Sequence, residues 1–181
     1  DGNGNYLFDG LTPGDYQVQF VTPNGYAPVN GSSLDENGFA PCVTLDWGDC
    51  DTTTSVCFTL LASIGDYVWL DADGDGIQDI GELGVPNLEV VLFNAATNQP
   101  VDTAYTDASG AYLFENVPGS DYYITFDPTG SGLGDYEFTS QNTGNQVSDS
   151  DANVSGQTNN FNFNPYDGDD MTIDAGIRQM D

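Results

Sequence analysis

The sequence predicts an all-β protein made of tandem β-sandwich domains, with no significant helix. Short segments of alternating apolar residues recur along the chain, and Gly, Pro, Asn and Asp separate them, as in strands joined by tight turns. No segment shows a helical period of useful length. The chain is also 38% hydrophobic and contains ten Tyr, ten Phe, two Trp and 22 Gly. This is enough apolar surface to form cores despite a high net charge.

A repeat within the chain indicates how it is divided. Residues 1–20, DGNGNYLFDGLTPGDYQVQF, align without a gap with residues 107–126, DASGAYLFENVPGSDYYITF, and such self-similarity marks repeated structural units. The second copy follows a long segment, 62–106, that has no counterpart before the first copy. We therefore predict that residues 1–61 are the C-terminal part of one domain, completed by another segment or subunit, and that residues 62–181 are a complete domain.

The strands of the second domain follow from apolar alternation and from the turn sequences between them. About eight strands in a segment of this length is the size of a β-sandwich. The predicted strands are 64–70, 87–94, 101–106, 111–115, 121–127, 135–140, 160–164 and 171–176.

The charge of the chain excludes several functions. It carries 29 acidic residues, one basic residue (Arg178) and no histidine, for a formal net charge of −28. Nucleic acid is not an expected partner, because neutralising phosphate requires Lys or Arg, and no apolar run is long enough to span a membrane. Catalysis by His or Lys is excluded, and we predict that the protein is not an enzyme. Bound divalent cations or a saline habitat are expected to offset the repulsion.

One acidic segment matches a calcium-binding pattern. Residues 71–82, DADGDGIQDIGE, fit D-x-[DN]-x-[DN]-G-x5-E at every defined position. Calcium takes about six to eight oxygen ligands, and the five carboxylates of this loop repel one another without a cation. A solvated acidic turn is the alternative. Strand-like residues flank the loop, which argues against an EF-hand sensor. The predicted ligands are Asp71, Asp73, Asp75, Ile77 through its backbone carbonyl, Asp79 and Glu82.

Other acidic turns are weaker candidates for calcium sites. Asp107 either binds an ion or caps its own turn through backbone N–H groups. Asp149 and Asp151 alternate along the chain, so both side chains can face one ion. Residues 167–170 contain a further acidic turn. A plain solvated loop is the alternative for each.

These motifs resemble the B domains of bacterial serine–aspartate repeat surface proteins, or SdrD B-like domains. The resemblance covers 64–177 and is carried by GDYVWLDADGDGIQD, ELGVPNLEVVLFN, YTDASGAYLFENVPGSDYYITF, SDSDAN and MTIDAGI. It implies a prealbumin-like Greek-key sandwich of the Cna-B type on the cell surface. It also implies several Ca²⁺ ions per domain, with Asp107, Asp149 and Asp151 as further ligands.

The leading functional prediction is an extracellular structural repeat of a cell-surface stalk, adhesin or filament, rigidified by Ca²⁺ in acidic inter-strand loops. Its expected partners are neighbouring copies or domains of the same protein, including a head-to-tail filament. The alternative is an adhesive module that recognises a host protein or glycan through Tyr26, Trp47, Tyr136 and Tyr166. A carboxylate-pair hydrolase is disfavoured, because the acidic pairs lie in calcium-type turns.

The three cysteines lie close together in the sequence, at Cys42, Cys50 and Cys57. If 42–47 and 54–60 form a hairpin, Cys42 and Cys57 lie opposite each other on one face. We predict a Cys42–Cys57 disulfide, which fits an oxidising, extracellular setting, with Cys50 free. A Cys42–Cys50 bond is the main alternative.

Overall fold

The computed structural model describes residues 1–29, 31–132 and 134–180. The chain divides into two compact units. Unit 1 is Asp1–Thr59 and unit 2 is Leu60–Asp181.

Strands make up nearly all of the regular structure, which confirms the predicted all-β class. Helical structure in the described residues is limited to two 3-10 turns, Pro128–Gly130 and Pro165–Asp167. None of the described helical segments is long and apolar enough to cross a membrane. Asp181, the last residue of the second predicted domain, lies outside the described residues. The strands are β1 (Gly14–Tyr16), β2 (Tyr26–Pro28), β3 (Val43–Leu45), β4 (Phe58–Leu70), β5 (Leu83–Gly84), β6 (Glu89–Asn94), β7 (Gln99–Tyr105), β8 (Ala111–Pro118), β9 (Ser120–Asp127), β10 (Tyr136–Phe138), β11 (Phe161–Phe163) and β12 (Ala175–Gln179).

Unit 2 is a β-sandwich. In one sheet, β12 runs parallel to β4, β10 pairs with β12, and β5 and β8 pair with β4 in antiparallel fashion. The other sheet is antiparallel, in the order β11-β9-β6-β7. Strands alternate their side chains between the two faces of a sheet, so the apolar positions of both sheets face a shared core. That core includes Ile64, Val68, Val90, Leu92, Phe114, Ile124, Phe126 and Ile177.

All eight strands predicted in unit 2 are present, and their ends show where sequence patterns stop being informative. β4 begins at Phe58 and not at the predicted residue 64, because residues 58–63 continue the same extended strand. The closing strand is Ala175–Gln179 and not 171–176. Before it, the chain contacts β4 through an isolated bridge between Ile64 and Asp170 and through a hydrogen bond from the Ser63 N–H to Asp169 Oδ1. The sequence pattern does not predict the two-residue β5, because so short a strand carries no period.

Unit 1 repeats the local structure of the second half of unit 2. β1 pairs with β3, with Asp15 opposite Thr44, and β9 pairs with β11, with Asp121 opposite Asn162. Thr44 Oγ1 donates a hydrogen bond to Asp15 Oδ1 at 2.6 Å, and Asn162 Nδ2 donates to Asp121 Oδ1 at 2.8 Å. Both the register and the cross-strand hydrogen bond are therefore repeated.

The likeness extends beyond the residues that align by sequence. The Phe20 N–H donates to the Gly38 carbonyl at 2.9 Å, and the Phe126 N–H donates to the Gly156 carbonyl at 2.7 Å. A Cβ at either glycine would lie 2.5 or 2.6 Å from the same phenylalanine's carbonyl oxygen, so both positions need glycine. The segment around Gly38 therefore corresponds to the segment around Gly156.

The predicted hairpin between 42–47 and 54–60 is wrong. In the described residues β3 pairs with β1, as the repeat requires, and the Cys57 carbonyl accepts a hydrogen bond from the Val29 N–H at 2.9 Å. All three thiols are free and exposed. The Cys42–Cys57 disulfide stays a prediction.

Candidate metal centre

The acidic loop 71–82 follows β4 directly and folds back on its first residue. Asp71 is fully buried. Its Oδ1 accepts a hydrogen bond from the Gly74 N–H at 2.6 Å, and its Oδ2 accepts one from the Gly76 N–H at 2.8 Å. Gly76 has a φ of 81°, a left-handed conformation that favours glycine. The buried carboxylate and this turn together bring the later acidic residues close to the first.

Two overlapping groups of carboxylates result. Asp71, Asp73 and Glu82 each place one oxygen within 4.8 Å of the others, and so do Asp73, Asp75 and Asp79. Among the residues that the structure describes, these two groups are the ones that bring three carboxylates this close. Hard oxygen donors at this density suit a divalent cation such as calcium. Asp73 belongs to both groups.

Glu82 closes the loop from its far end. Its Oε1 accepts a hydrogen bond from the Ala72 N–H at 2.8 Å, and its Oε2 accepts one from the Asp79 N–H at 2.9 Å. Ile77 forms an isolated antiparallel bridge with Asp149. The use of the Ile77 carbonyl as a ligand stays a prediction.

The loop is tied to the segment that precedes β11. The Gln78 N–H donates to the Ser148 carbonyl at 2.7 Å, and the Ser150 N–H donates to the Gly76 carbonyl at 3.2 Å. These bonds place Asp149 directly beside the loop. A conformational change in the loop must therefore also move this segment.

The single basic residue of the chain also lies beside the loop. Arg178 forms an ion pair with Glu137, and a Cβ at Gly74 would come within 2.7 Å of the Arg178 guanidinium. Both partners of the ion pair are about half exposed, so solvent screens their charges. This one cation cannot balance the carboxylates of the loop.

A second set of carboxylates lies in unit 2, two of them buried and three half-buried. Asp174 is fully buried directly before β12, and neither of its carboxylate oxygens has a hydrogen-bond partner among the described residues. Asp149 is 5% exposed, and its Oδ1 is also without a partner in the described part of the chain. We refer to these residues and their charged neighbours as the buried carboxylate cluster, which comprises Asp66, Asp149, Asp151, Asp170 and Asp174.

Hydrogen bonds to the backbone join Asp151 and Asp174, whereas repulsion between the carboxylates opposes their ionisation. The Asp151 N–H donates to the Asp174 carbonyl at 2.9 Å, and Asp151 Oδ2 accepts from the Asp174 N–H at 3.0 Å. Burial, together with the charges of Asp151 and Asp66, raises the pKa of Asp174 to about 9. Burial also raises the pKa values of Asp151 and Asp66 to about 6. An ionised carboxylate in such a place is costly unless a cation or a hydrogen-bond donor compensates it.

The cluster predicts a distinctive pH dependence in calcium-free, chelator-treated buffer. The folded protein keeps the Asp174 proton up to about pH 9, whereas the unfolded chain loses it near the ordinary value of 3.8. The folded state thus binds more protons between these limits, and the free energy of unfolding should fall as the pH rises through them. Urea unfolding at about pH 5 and about pH 8 measures this change. The variant Asp174→Asn should show a smaller decrease, and an equal decrease in the variant would contradict the assignment.

Asp107 caps its own turn. Its Oδ1 accepts hydrogen bonds from the N–H groups of Ser109 and Ala111, at 2.8 and 3.1 Å, and from the Ser109 hydroxyl. The hydrogen bonds from Ser109 are the main cause of the lowered pKa of Asp107. Asp1 caps the equivalent turn of unit 1 in the same way. A role for Asp107 as a calcium ligand stays a prediction.

Sequence reasoning named Asp149 and Asp151 but missed Asp66 and Asp174. The signal for Asp174 was present, since it is a charged residue within the apolar run 173–177, and a charged residue in such a run is rarely left without a partner. Asp66 offers no such signal, because only the pairing of distant strands brings it near the other carboxylates.

The remaining predicted residues lie outside the cluster and the loop. In the acidic turn 167–170, Asp169 Oδ1 accepts a hydrogen bond from the Ser63 N–H at 2.7 Å. Trp47 and Tyr166 are 82% and 76% exposed, Tyr26 is 37% exposed and Tyr136 is half-buried. Isolated exposed aromatic residues are common on protein surfaces and do not favour a recognition role.

Comparison with known proteins agrees with these observations. The family model described as SdrD B-like domain matches residues 62–177. Serine-aspartate repeat-containing protein F of Staphylococcus epidermidis (strain ATCC 12228 / FDA PCI 1200) is 37% identical over 182 residues, which cover 98% of this chain and 10% of that protein. Serine-aspartate repeat-containing protein D of Staphylococcus aureus (strain MW2) is 33% identical over 187 residues, which cover 100% of this chain and 13% of that protein. The chain thus spans about a tenth of the length of these relatives.

Proposed function

This chain belongs to the SdrD B-like domain family, and from this membership we propose that it is a structural repeat of an extracellular cell-surface protein, rigidified by bound calcium. The relatives are named as repeat-containing proteins and are far longer than this chain. A module of this kind acts as a spacer in a stalk, adhesin or filament, and its stiffness is its function. Its partners in this proposal are neighbouring copies or domains of the same protein.

The observation that carries the proposal is the geometry of the loop 71–82. The sequence predicts six ligands in this loop, five carboxylates and the Ile77 carbonyl. The five carboxylates lie in two groups that share Asp73. Two of the carboxylates, Asp71 and Glu82, are already fixed by backbone N–H groups. Preorganised carboxylates lower the cost of ordering the site when the ion binds.

We propose the buried carboxylate cluster as a second cation site. Asp174 supports this, because both of its oxygens are buried without a partner among the described residues and Asp151 is bonded to its backbone. The Asp149 Oδ1, which also lacks a partner there, is the third candidate donor. A divalent ion would supply the positive charge that this region of unit 2 otherwise lacks.

Calcium would stiffen unit 2 by joining segments that are distant in sequence. The loop follows β4, the segment carrying Asp149 precedes β11, and Asp174 precedes β12. An ion at either site therefore adds a direct link between chain segments that hydrogen bonds already bring together. Because the bound ion stabilises the native arrangement alone, local opening of these segments becomes less favourable.

Hydrogen exchange tests where the stiffening occurs. We expect amides of 71–82 and 141–151 to exchange at least about tenfold more slowly in calcium than in chelator, because opening must expel the ion. The amides of β7, in the other sheet, serve as the internal control and should exchange equally in both conditions. Equal exchange of the two acidic segments with and without calcium would refute the proposed rigidification.

A further inference from the structure

The one basic side chain of this chain is fixed next to its acidic loop. Arg178 lies in β12, directly opposite Glu137 of β10 in the antiparallel register, and the two side chains form an ion pair. The side chain of the preceding residue, Ile177, is fully buried in the core. Because side chains alternate along a strand, Arg178 points away from that core. Strand pairing thus determines where the guanidinium lies.

The loop 71–82 begins beside this arginine. The Asp71 N–H donates a hydrogen bond to the Ile177 carbonyl at 2.8 Å, which holds the start of the loop against the residue before Arg178. Further along the loop, a Cβ placed on Gly74 would lie 2.7 Å from Arg178 Nη1. Arg178 is therefore adjacent to the first half of the loop, which carries three of its five carboxylates.

Different nitrogens of the guanidinium face Glu137 and the loop. The Arg178 Nε–H donates to Glu137 Oε1, and Nη2 contacts the same oxygen. Nη1, in contrast, is the guanidinium atom nearest Gly74. An arginine side chain has five N–H donors, so Nη1 can still donate towards the loop. Glu137 thus orients the guanidinium, and Nη1 presents its charge to the loop.

The charge of Arg178 has opposite effects on the empty and on the occupied loop. Folding brings the loop carboxylates within 4.8 Å of one another in two groups, and a positive charge beside them offsets part of their repulsion. Once a divalent cation is bound, the same positive charge repels that cation. Arg178 therefore stabilises the calcium-free loop more than the calcium-bound loop.

We propose that Arg178 is a built-in counter-ion of the loop 71–82, which keeps the loop in shape before calcium binds and lowers the affinity of the loop for calcium. The inference rests on the calcium site proposed above. A group that stabilises the ion-free state more than the ion-bound state must weaken ion binding by the same free energy. Such a counter-ion moves the dissociation constant towards about 10⁻⁴–10⁻³ M, the range of extracellular calcium-binding modules.

A cavity of about 550 Å³ beside the loop gives the guanidinium room to move. Its lining includes Asp71, Ala72, Glu137 and Arg178, and the Arg178 side chain is 51% exposed. Neither packing nor burial therefore holds the guanidinium against Gly74 once an ion occupies the loop. Arg178 can turn away from the ion, which keeps the loop accessible to calcium while limiting its affinity.

The variant Arg178→Gln tests the proposal through two measurements that should indicate opposite effects. Titration calorimetry of the full chain with calcium should give a dissociation constant about threefold to tenfold lower, as expected for removing a unit charge roughly 8 Å from a divalent ion in water. In chelator, the melting temperature of unit 2 should fall, because the empty loop loses its counter-ion. A substitution that merely damaged the loop would lower the melting temperature and also weaken calcium binding.

The effect of Arg178 should depend on charge. The variant Arg178→Lys keeps the positive charge and should restore most of the parent's calcium affinity and of its melting temperature in chelator. Sodium chloride at about 1 M should remove most of the difference between Arg178→Gln and the parent, because the Debye length is then about 3 Å.

Two matched backgrounds identify what Arg178 stabilises. In a Glu137→Gln background, Arg178→Gln should still lower the melting temperature in chelator, because the guanidinium stabilises the loop and not only its ion-pair partner. In an Asp73→Asn background, which impairs the loop, Arg178→Gln should leave the affinity of the remaining ion unchanged.

Calcium binding that is unchanged or weaker in Arg178→Gln would overturn the proposal. An effect in chelator that disappears in the Glu137→Gln background would also overturn it, since Arg178 would then act through the ion pair alone. If the parent chain binds no calcium, the proposed function fails, whereas the comparison in chelator still decides whether Arg178 stabilises the loop.

Discussion

Removing calcium should lower the melting temperature of unit 2 by roughly 10 °C for each ion lost. An ion present at about 100 times its dissociation constant stabilises the folded state by about 2.7 kcal/mol. For a domain of this size, 1 kcal/mol corresponds to roughly 3–5 °C in melting temperature. The effect is large because the ion also relieves repulsion among carboxylates that folding has brought within 4.8 Å of one another.

The two tryptophans allow unit 2 to be measured alone. Trp69 is fully buried in β4, two residues before Asp71, and Trp47 is 82% exposed in unit 1. In a Trp47→Phe background, the fluorescence of Trp69 reports the unfolding of unit 2 next to the calcium loop. Thermal scans in calcium and in chelator then give the shift directly.

The informative loop variant is Asp73→Asn, because Asp73 belongs to both carboxylate groups. Its side chain is exposed, and its Oδ1 accepts a long hydrogen bond of 3.4 Å from the Asp75 N–H. The substitution removes one of the repelling charges, so it should slightly raise the melting temperature in chelator, and it should remove most of the loop's share of the calcium-induced increase. Glu115→Gln is the matched control, since Glu115 is an exposed acidic residue of β8 outside both sites. A calcium-induced increase that survives in Asp73→Asn would contradict the loop assignment.

The sequence predicts the fold of unit 2 well because its strands carry strong local signals. Alternating apolar residues and turn sequences identify every long strand, including β8 and β9 on either side of the Pro118-Gly119 turn. The pairing of strands is a different matter, as the wrong hairpin between 42–47 and 54–60 shows. Alternation fixes which face of a strand is buried, but it does not identify the strand that pairs with it. The internal repeat could have done so, because β3 occupies the place of β11.

The two proposed cation sites differ in the same respect. The loop 71–82 is contiguous, so its candidate ligands are set by spacing alone and the sequence pattern identifies them. The buried carboxylate cluster draws Asp66, Asp151 and Asp174 from distant segments, and strand pairing alone brings them together. A contiguous motif can be read from sequence, whereas a site assembled by tertiary structure requires the fold.

The two repeats differ at the buried carboxylate cluster. Ser33 lies five residues before Gly38, and Asp151 lies five residues before the equivalent Gly156. In unit 1 the Cys57 carbonyl accepts a hydrogen bond from the Val29 N–H, and in unit 2 the Gly176 carbonyl accepts one from the Thr139 N–H. Cys57 therefore corresponds to Gly176, and Ser55, two residues earlier, corresponds to Asp174. Both carboxylates are thus replaced by serine in unit 1, as expected if Asp151 and Asp174 serve one shared ion.

The double variant Asp151→Ser, Asp174→Ser should therefore behave in opposite ways with and without calcium. In chelator at about pH 8 it should be more stable than the parent, by about 1–3 kcal/mol, because folding no longer has to protonate Asp174 or to bury Asp151 ionised without a cation. In calcium it should be less stable than the parent, because the ion of the cluster is lost while the ion of the loop remains. Urea unfolding in the two buffers measures both differences.

Ion counting by native mass spectrometry completes this test. The double variant should bind one calcium ion fewer than the parent, and Asp73→Asn should lose a different ion, so that combining all three substitutions removes both. Sites that are separate in this way should contribute nearly additively to stability. If the double variant is less stable than the parent in chelator, the carboxylates stabilise the fold by themselves. If it retains the full calcium count, the cluster is not a cation site, and the calcium-dependent stiffness of unit 2 must come from the loop alone.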